Sequence, residues 1–139
     1  FANGMEYFNS FGGNPVSMAV GHAVLDVIEA ENLPAKAVTT GHALMQGYRD
    51  LATRHPIIGD VRGMGLFIGV ELITDRNART PAPKAADHIV DQLRLRGVLA
   101  STDGPDDNVL KIKPPMVFGP AEAAILLAET EAALNTLTN

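Results

Sequence analysis

The strongest constraint on this chain's fold is the way its apolar spacing switches between the 3.6-residue period of a helix and the two-residue period of a strand. From Val16 onward, Ala19, Val20, Ala23, Val24, Val27 and Ile28 recur at helical spacing and predict a long helix ending near Glu31-Asn32. After Pro34, Leu44, Met45, Tyr48, Leu51 and Ala52 predict a second helix, which should stop before Pro56 because the residue preceding a proline avoids the α region. Ile57 to Arg62 and Leu66 to Ile73 are rich in β-branched and aromatic residues and read as a hairpin, with Gly63-Met64-Gly65 as its tight turn or bulge. Asp75 to Pro83 reads as a loop, followed by a helix carrying Ala86, Ile89, Val90 and Leu93 and closed by Gly97. Val98 to Ser101 and the alternating Val109 to Lys113 predict two more strands on either side of a turn-rich Asp103-Gly104-Pro105-Asp106-Asp107-Asn108, and a last helix starts around Pro120 and Glu122. The order is α-α-β-β-α-β-β-α. Strands that come in hairpin-like pairs between helices imply an α+β domain (an α/β sandwich), a small, mostly antiparallel sheet covered by helices and preceded by a long N-terminal helix.

A chain of 139 residues that is 46% hydrophobic and 19% charged has enough apolar material for one domain with a real core. Its net charge of -5 and its scattered basic residues argue against nucleic acid as a partner. No apolar run approaches the roughly 20 residues of a membrane span, so no membrane partner is expected. The absence of Cys excludes disulfides and thiolate chemistry and makes a cytoplasmic location the expectation. Phe1-Ala2-Asn3-Gly4-Met5 has neither an initiator methionine nor the plan of a signal peptide, and reads as a chain entered midway.

Ahead of the first helix stands Asn9-Ser10-Phe11-Gly12-Gly13-Asn14-Pro15, a hydroxyl and two glycines before a helix that Asn14 can cap and Pro15 can open. Helix N-terminal amides favour anions, and glycines let backbone approach a ligand, so the segment suits a phosphorylated cofactor or substrate. Other motifs carry less. Gly63-Met64-Gly65-Leu66-Phe67-Ile68-Gly69 fails as a dinucleotide fingerprint, because its third glycine is one position late and a strand follows where a helix is required. His22, His42, His55 and His88 fall singly on different elements without metal-ligand spacing, so no metal is expected. Ser10 lacks a local His or Asp partner of the nucleophile-elbow kind. Asp60, Glu71 and Asp103 read as solvated charges. Arg62 reads either as a surface charge, the usual role of a lone arginine, or, from its place between apolar strand residues and glycines, as a fork that could grip a carboxylate in bidentate fashion.

Ser10-Phe11-Gly12-Gly13-Asn14-Pro15 followed by an Ala-rich helix resembles the class III pyridoxal-phosphate-dependent aminotransferases. Val61-Arg62-Gly63-Met64-Gly65-Leu66-Phe67-Ile68-Gly69-Val70-Glu71-Leu72 resembles a second signature of the same family, in the family's order and separation. The wording of His55-Pro56-Ile57-Ile58-Gly59-Asp60, Ser101-Thr102-Asp103-Gly104-Pro105 and Lys111-Ile112-Lys113-Pro114-Pro115 is most similar to the branch of alanine–glyoxylate aminotransferase 2-like proteins and ethanolamine-phosphate phospho-lyases.

The resemblance implies the small C-terminal domain of a fold-type I enzyme, with residues 1–13 as an interface and cofactor-phosphate loop, 14–33 as a linking helix and 34–139 as the small domain. It implies pyridoxal 5'-phosphate as cofactor, a small amino donor and an oxo-acid acceptor as substrates, and a homodimer. The Schiff-base lysine would lie upstream of this chain, since none of Lys36, Lys84, Lys111 or Lys113 has its context, and no catalytic residue is expected within the chain. Two roles carry over. Ser10, where the family more often has Thr, would reach a neighbouring subunit's cofactor phosphate, with Phe11 and Gly12 offering backbone amides to it. Arg62 would bind the substrate's α-carboxylate, or a phosphate in a phospho-lyase. A non-catalytic α+β binding module stands as the alternative outside enzymes.

Overall fold

The computed structural model describes residues 4, 6, 8–10 and 12–137. The chain divides into two compact units, Phe1–Asn32 and Leu33–Asn139. In the first, α1 spans Pro15–Ala30. Asn14 caps it, its Oδ1 accepting the Val16 and Ser17 amides at 3.0 and 3.1 Å, and Pro15 supplies a first helical residue that needs no amide partner. The helix carries the apolar residues that its spacing predicts, yet none of them is buried. It ends at Ala30, with Asn32 beyond it in the left-handed region at φ 50°.

The second unit runs α2 (Leu33–Arg54), β1 (Ile58–Met64), β2 (Phe67–Asp75), β3 (Thr80–Pro81), α3 (Pro83–Leu95), β4 (Ser101–Asp103), β5 (Val109–Ile112) and α4 (Pro120–Leu134). The main sheet has the order β1-β2-β5-β4 with every pairing antiparallel, and β3 adds to the end of β2. The α+β architecture with a largely antiparallel sheet is therefore the observed one. No helix among the described residues is long and apolar enough to cross a membrane.

The segment Asp75 to Pro83, expected as a loop, contains the short strand β3, which pairs with Ile73 and Asp75 of β2. Three further boundaries differ from the sequence reading, each for a local reason. Helix α2 begins at Leu33 and takes in Pro34, because proline is tolerated in a first turn whose amides have no intrahelical partner. Gly63 and Met64 belong to β1, where they pair with Ile68 and Phe67. The hairpin loop is thus only Gly65-Leu66, with a positive φ at Gly65 and not at Leu66, the pattern of a II′ turn that suits the twist of the strands. The strand expected at Val98 to Ser101 lies later, at Ser101–Asp103. Val98 is committed instead to ending α3: its amide donates to Leu93 O at 2.9 Å while Gly97, at φ 83°, donates to Arg94 O at 3.1 Å. That double bond pattern is a Schellman cap.

Helices α2, α3 and α4 cover one face of the sheet. Ile68, Val70 and Leu72 of β2 and Leu110 and Ile112 of β5 point into it, meeting Leu44, Tyr48 and Leu51 of α2, Ile89 and Leu93 of α3, and Leu126 and Leu134 of α4. At the centre, Tyr48 is 1% exposed and its hydroxyl lies 3.2 Å from Thr130 Oγ1, which itself donates to Leu126 O at 2.7 Å. The chain of bonds satisfies two buried hydroxyls and ties α2 to α4. Burial pushes the Tyr48 phenol up from 10.0 to about 12, with the Thr130 bond pulling weakly the other way.

The folded state therefore favours the neutral phenol. This contribution is fully present below pH 10 and is lost as pH rises from 10 towards about 12. Urea unfolding midpoints should fall across that window, and Tyr48→Phe should flatten the fall while lowering stability at neutral pH by about 1 kcal/mol through the lost hydrogen bond. A pH profile identical in the two proteins would contradict the assignment.

Candidate functional site

Because successive strand residues face opposite ways, the residues between the core positions form the other, helix-free face of the sheet. The pairing register orders them into rows that cross the strands. Arg62 pairs with Gly69, Gly69 with Lys111, and Lys111 with Ser101. In the adjacent row Asp60 pairs with Glu71, Glu71 with Val109, and Val109 with Asp103. A row holding two cations with a glycine between them thus lies beside a row holding three carboxylates.

The charges pair between rows. Arg62 Nη1 donates to Asp60 Oδ2 at 2.8 Å and to Glu71 Oε2 at 2.5 Å. The bond to Asp60 and then that to Glu71 raise the Arg62 pKa further above its already high ordinary value. Lys111 Nζ lies 2.9 Å from Asp103 Oδ2, and this bond, aided by the Gly104 amide, lowers the Asp103 pKa. All five side chains keep between 29% and 55% of their surface exposed, so each pair is held in water-accessible surroundings, and those of Arg62 are worth at most about 1 kcal/mol to stability.

Beside these charges lies a cavity of about 410 Å³ whose lining includes Arg62, Gly69, Val109 and Lys111, with Met64 and Phe67 as an apolar wall. Gly69 keeps its floor open: a β-carbon there would stand 3.1 Å from Val109 Cγ1 and 4.0 Å from Arg62 Cγ. Lys113 sits 5.8 Å from the Phe67 ring centroid, in range of a cation–π contact.

The loop before α1 has a different character. The Gly12 amide donates to Asn9 Oδ1 at 3.1 Å and to Asn9 O at 3.2 Å, and the first amides of α1 are taken by Asn14. Ser10 is exposed and its hydroxyl makes no hydrogen bond among the described residues. Phe11 lies outside the described residues. Ser10 and Gly12 belong to the first unit and Arg62 to the second.

Asp60, Glu71 and Asp103, read from sequence as solvated charges, are all ion-paired here, and Lys111 joins Arg62 at the cavity without having been singled out. The alternation of Val109 to Lys113 already put Lys111 on the polar face, but which residue stands beside it depends on register, which spacing within one strand does not encode. Among the described residues no group of three potential metal ligands exists; His88 Nε2 instead lies 2.8 Å from Thr136 Oγ1.

The sequence profile of class III aminotransferases matches residues 3–134. The chain belongs to the class III aminotransferase family. An alanine–glyoxylate aminotransferase 2-like protein of Drosophila melanogaster is 51% identical over 118 residues, which are 84% of this chain and 24% of that relative. Among solved structures, a phospholyase from Arthrobacter in complex with phosphoethanolamine superposes with a TM-score of 0.89 at 45% identity, covering 95% of this chain and 31% of that one. An amine transaminase from an uncultivated Pseudomonas species, in its PLP-bound form, gives a TM-score of 0.83 at 32% identity, over 94% of this chain and 30% of its own. This class III chain thus spans less than a third of the length of these relatives.

Proposed function

We propose that the chain belongs to a pyridoxal-phosphate-dependent transaminase that moves an amino group between an amino acid or amine and an oxo acid. The reading is carried by Arg62, a guanidinium from the family's second motif, standing beside an open cavity on the helix-free sheet face. Pyridoxal phosphate, when bound, supplies an electron sink for the carbon whose proton is removed. The residues here fit the cofactor's phosphate: Ser10 is exposed and its hydroxyl is uncommitted among the described residues. Ser10 would donate to that phosphate from across a homodimer interface, whereas the Gly12 amide, expected to do the same, is taken by Asn9. The unburied apolar residues of α1, Val20, Val24 and Val27, support a surface covered in such an assembly.

Arg62 binds the anionic group of the amino donor and so fixes which Cα–H bond faces the base that removes its proton. Met64 and Phe67 give one side of the same cavity an apolar surface.

A second reading, elimination of phosphate from a phosphorylated amine, is favoured by one observation. The cavity is lined by two cations, Arg62 and Lys111, against one carboxylate, Asp103, which pairs with Lys111, and this excess of positive charge suits a phosphate. One experiment separates the two. The full-length enzyme, loaded with pyridoxal phosphate, is supplied with amino donors with and without an oxo acid, and separately with ethanolamine phosphate. Amino transfer that requires the oxo acid is the expected result. Inorganic phosphate released without an oxo acid would replace the first reading with the second, and neither product would overturn both.

A further inference from the structure

The geometry points to Asp60 and Glu71 as positioning residues that hold Arg62 with one edge of its guanidinium free for a substrate anion. The inference rests on the assignment of Arg62 to the donor's anionic group and adds which side chains set its grip.

Both carboxylates bond the same nitrogen, Nη1. The Nε and Nη2 groups make no hydrogen bond among the described residues. A guanidinium grips a carboxylate or phosphate with two parallel N–H bonds along one edge, and the Nη2–Nε edge is such an edge, intact. Asp60 and Glu71 thus occupy one corner of the group and leave its bidentate fork unused. Had they been competitors for the fork itself, one carboxylate would span two nitrogens.

The register explains why these two residues do it. Asp60 lies two residues before Arg62 and so on the same sheet face, while Glu71 pairs directly with Asp60 across the strands. Like charges directly opposite one another repel, and a cation shared between them removes the conflict. Nη1 fills that place, so the carboxylate pair has its own reason to keep the arginine. The stem of Arg62 meanwhile passes close to Gly69, 4.0 Å from where a β-carbon would stand. The two bonds to Nη1 hold the tip of a long side chain with many rotamers, so part of its ordering precedes any substrate.

The opposite possibility, that the two carboxylates are displaced when substrate binds, predicts the opposite sign. Removing a competitor tightens anion binding; removing a positioning group weakens it. The test measures binding of acetate and of inorganic phosphate to the full-length enzyme by calorimetry, and kcat and KM with an anion-bearing donor and with an uncharged-tail alkyl amine. For Glu71→Leu, the dissociation constant of either anion and the KM of the anion-bearing donor should rise about five-fold, with kcat moving less. Glu71→Gln, which keeps an acceptor oxygen, should recover part of the loss, and Asp60→Asn should repeat the effect in smaller measure. The kcat/KM preference for the anion-bearing donor over the alkyl amine should fall by the same factor in each.

Tighter binding, or no change, in the Glu71 and Asp60 variants would overturn the positioning role. Arg62→Ala separates this failure from a deeper one. If it weakens anion binding while the carboxylate variants do not, only the positioning role falls. If it leaves anion binding untouched, the assignment of Arg62 falls and the positioning role with it. Both carboxylates are partly exposed, so unfolding midpoints close to the parent's should accompany all of these variants.

Discussion

Replacing Gly41 with alanine is expected to destabilise the fold by about 3 kcal/mol or more, the upper range of single substitutions. Gly41 is a buried residue of α2, and a β-carbon built on it would lie 1.9 Å from the carbonyl oxygen of Gly65 and 2.3 Å from its carbon. The obstacle is backbone, at the first residue of a two-residue hairpin loop, so no rotamer change can relieve it. Alanine is the better helix former by about 1 kcal/mol, a gain too small to offset the displacement of α2 from the hairpin. Urea unfolding would show a lowered midpoint with little change in slope. A loss below about 1 kcal/mol would mean that helix and hairpin separate easily, and that the close approach contributes little to holding β1 in place.

The second large effect is expected at Arg62. Converting it to alanine should lower kcat/KM for an anion-bearing donor by roughly 10- to 150-fold, corresponding to about 1.5–3 kcal/mol for hydrogen bonds to a charged group. Stability should change by less than about 1 kcal/mol, because the ion pairs lost with it are well exposed. Steady-state kinetics of the full-length enzyme, paired with unfolding curves, checks both halves. Equal losses for donors with and without an anionic group, or a fall in stability above 2 kcal/mol, would assign Arg62 to the sheet's architecture instead.

The close approach of Gly41 to Gly65 shows where sequence reading stops. The helices were legible because their apolar residues recur with one period over many turns, as Val20, Ala23, Val24 and Val27 do in α1. The hairpin was legible as an element but not in its turn: Gly63-Met64-Gly65 offers two glycines, and only the pairing of Met64 with Phe67 assigns the loop to Gly65-Leu66. Nothing in the pattern around Gly41 announces that it faces Gly65, since the contact joins elements whose packing is settled by the core. The candidate site divides the same way. Arg62 stood out by its motif and its glycines, and Asp60, two residues before it on the same strand, shares its face by simple alternation, whereas Glu71 and Lys111 gained their relation to it from strand register, a property of pairs of strands that no single strand carries.

The sheet's margins carry a last consequence. Edge strand β1 has a register shift between Ile58 and Asp60, and edge strand β4 is only three residues long and runs into Gly104-Pro105. The β-branched stretches from Ile57 to Val61 and from Leu66 to Ile73 are of the composition that readily zips onto copies of itself. Here the second is enclosed as β2 between β1 and β5, and the first is bent at its irregularity, so neither margin offers a long straight template for another chain to extend. A protein crowded with its own copies is thereby guarded against the aggregation its strands would otherwise invite.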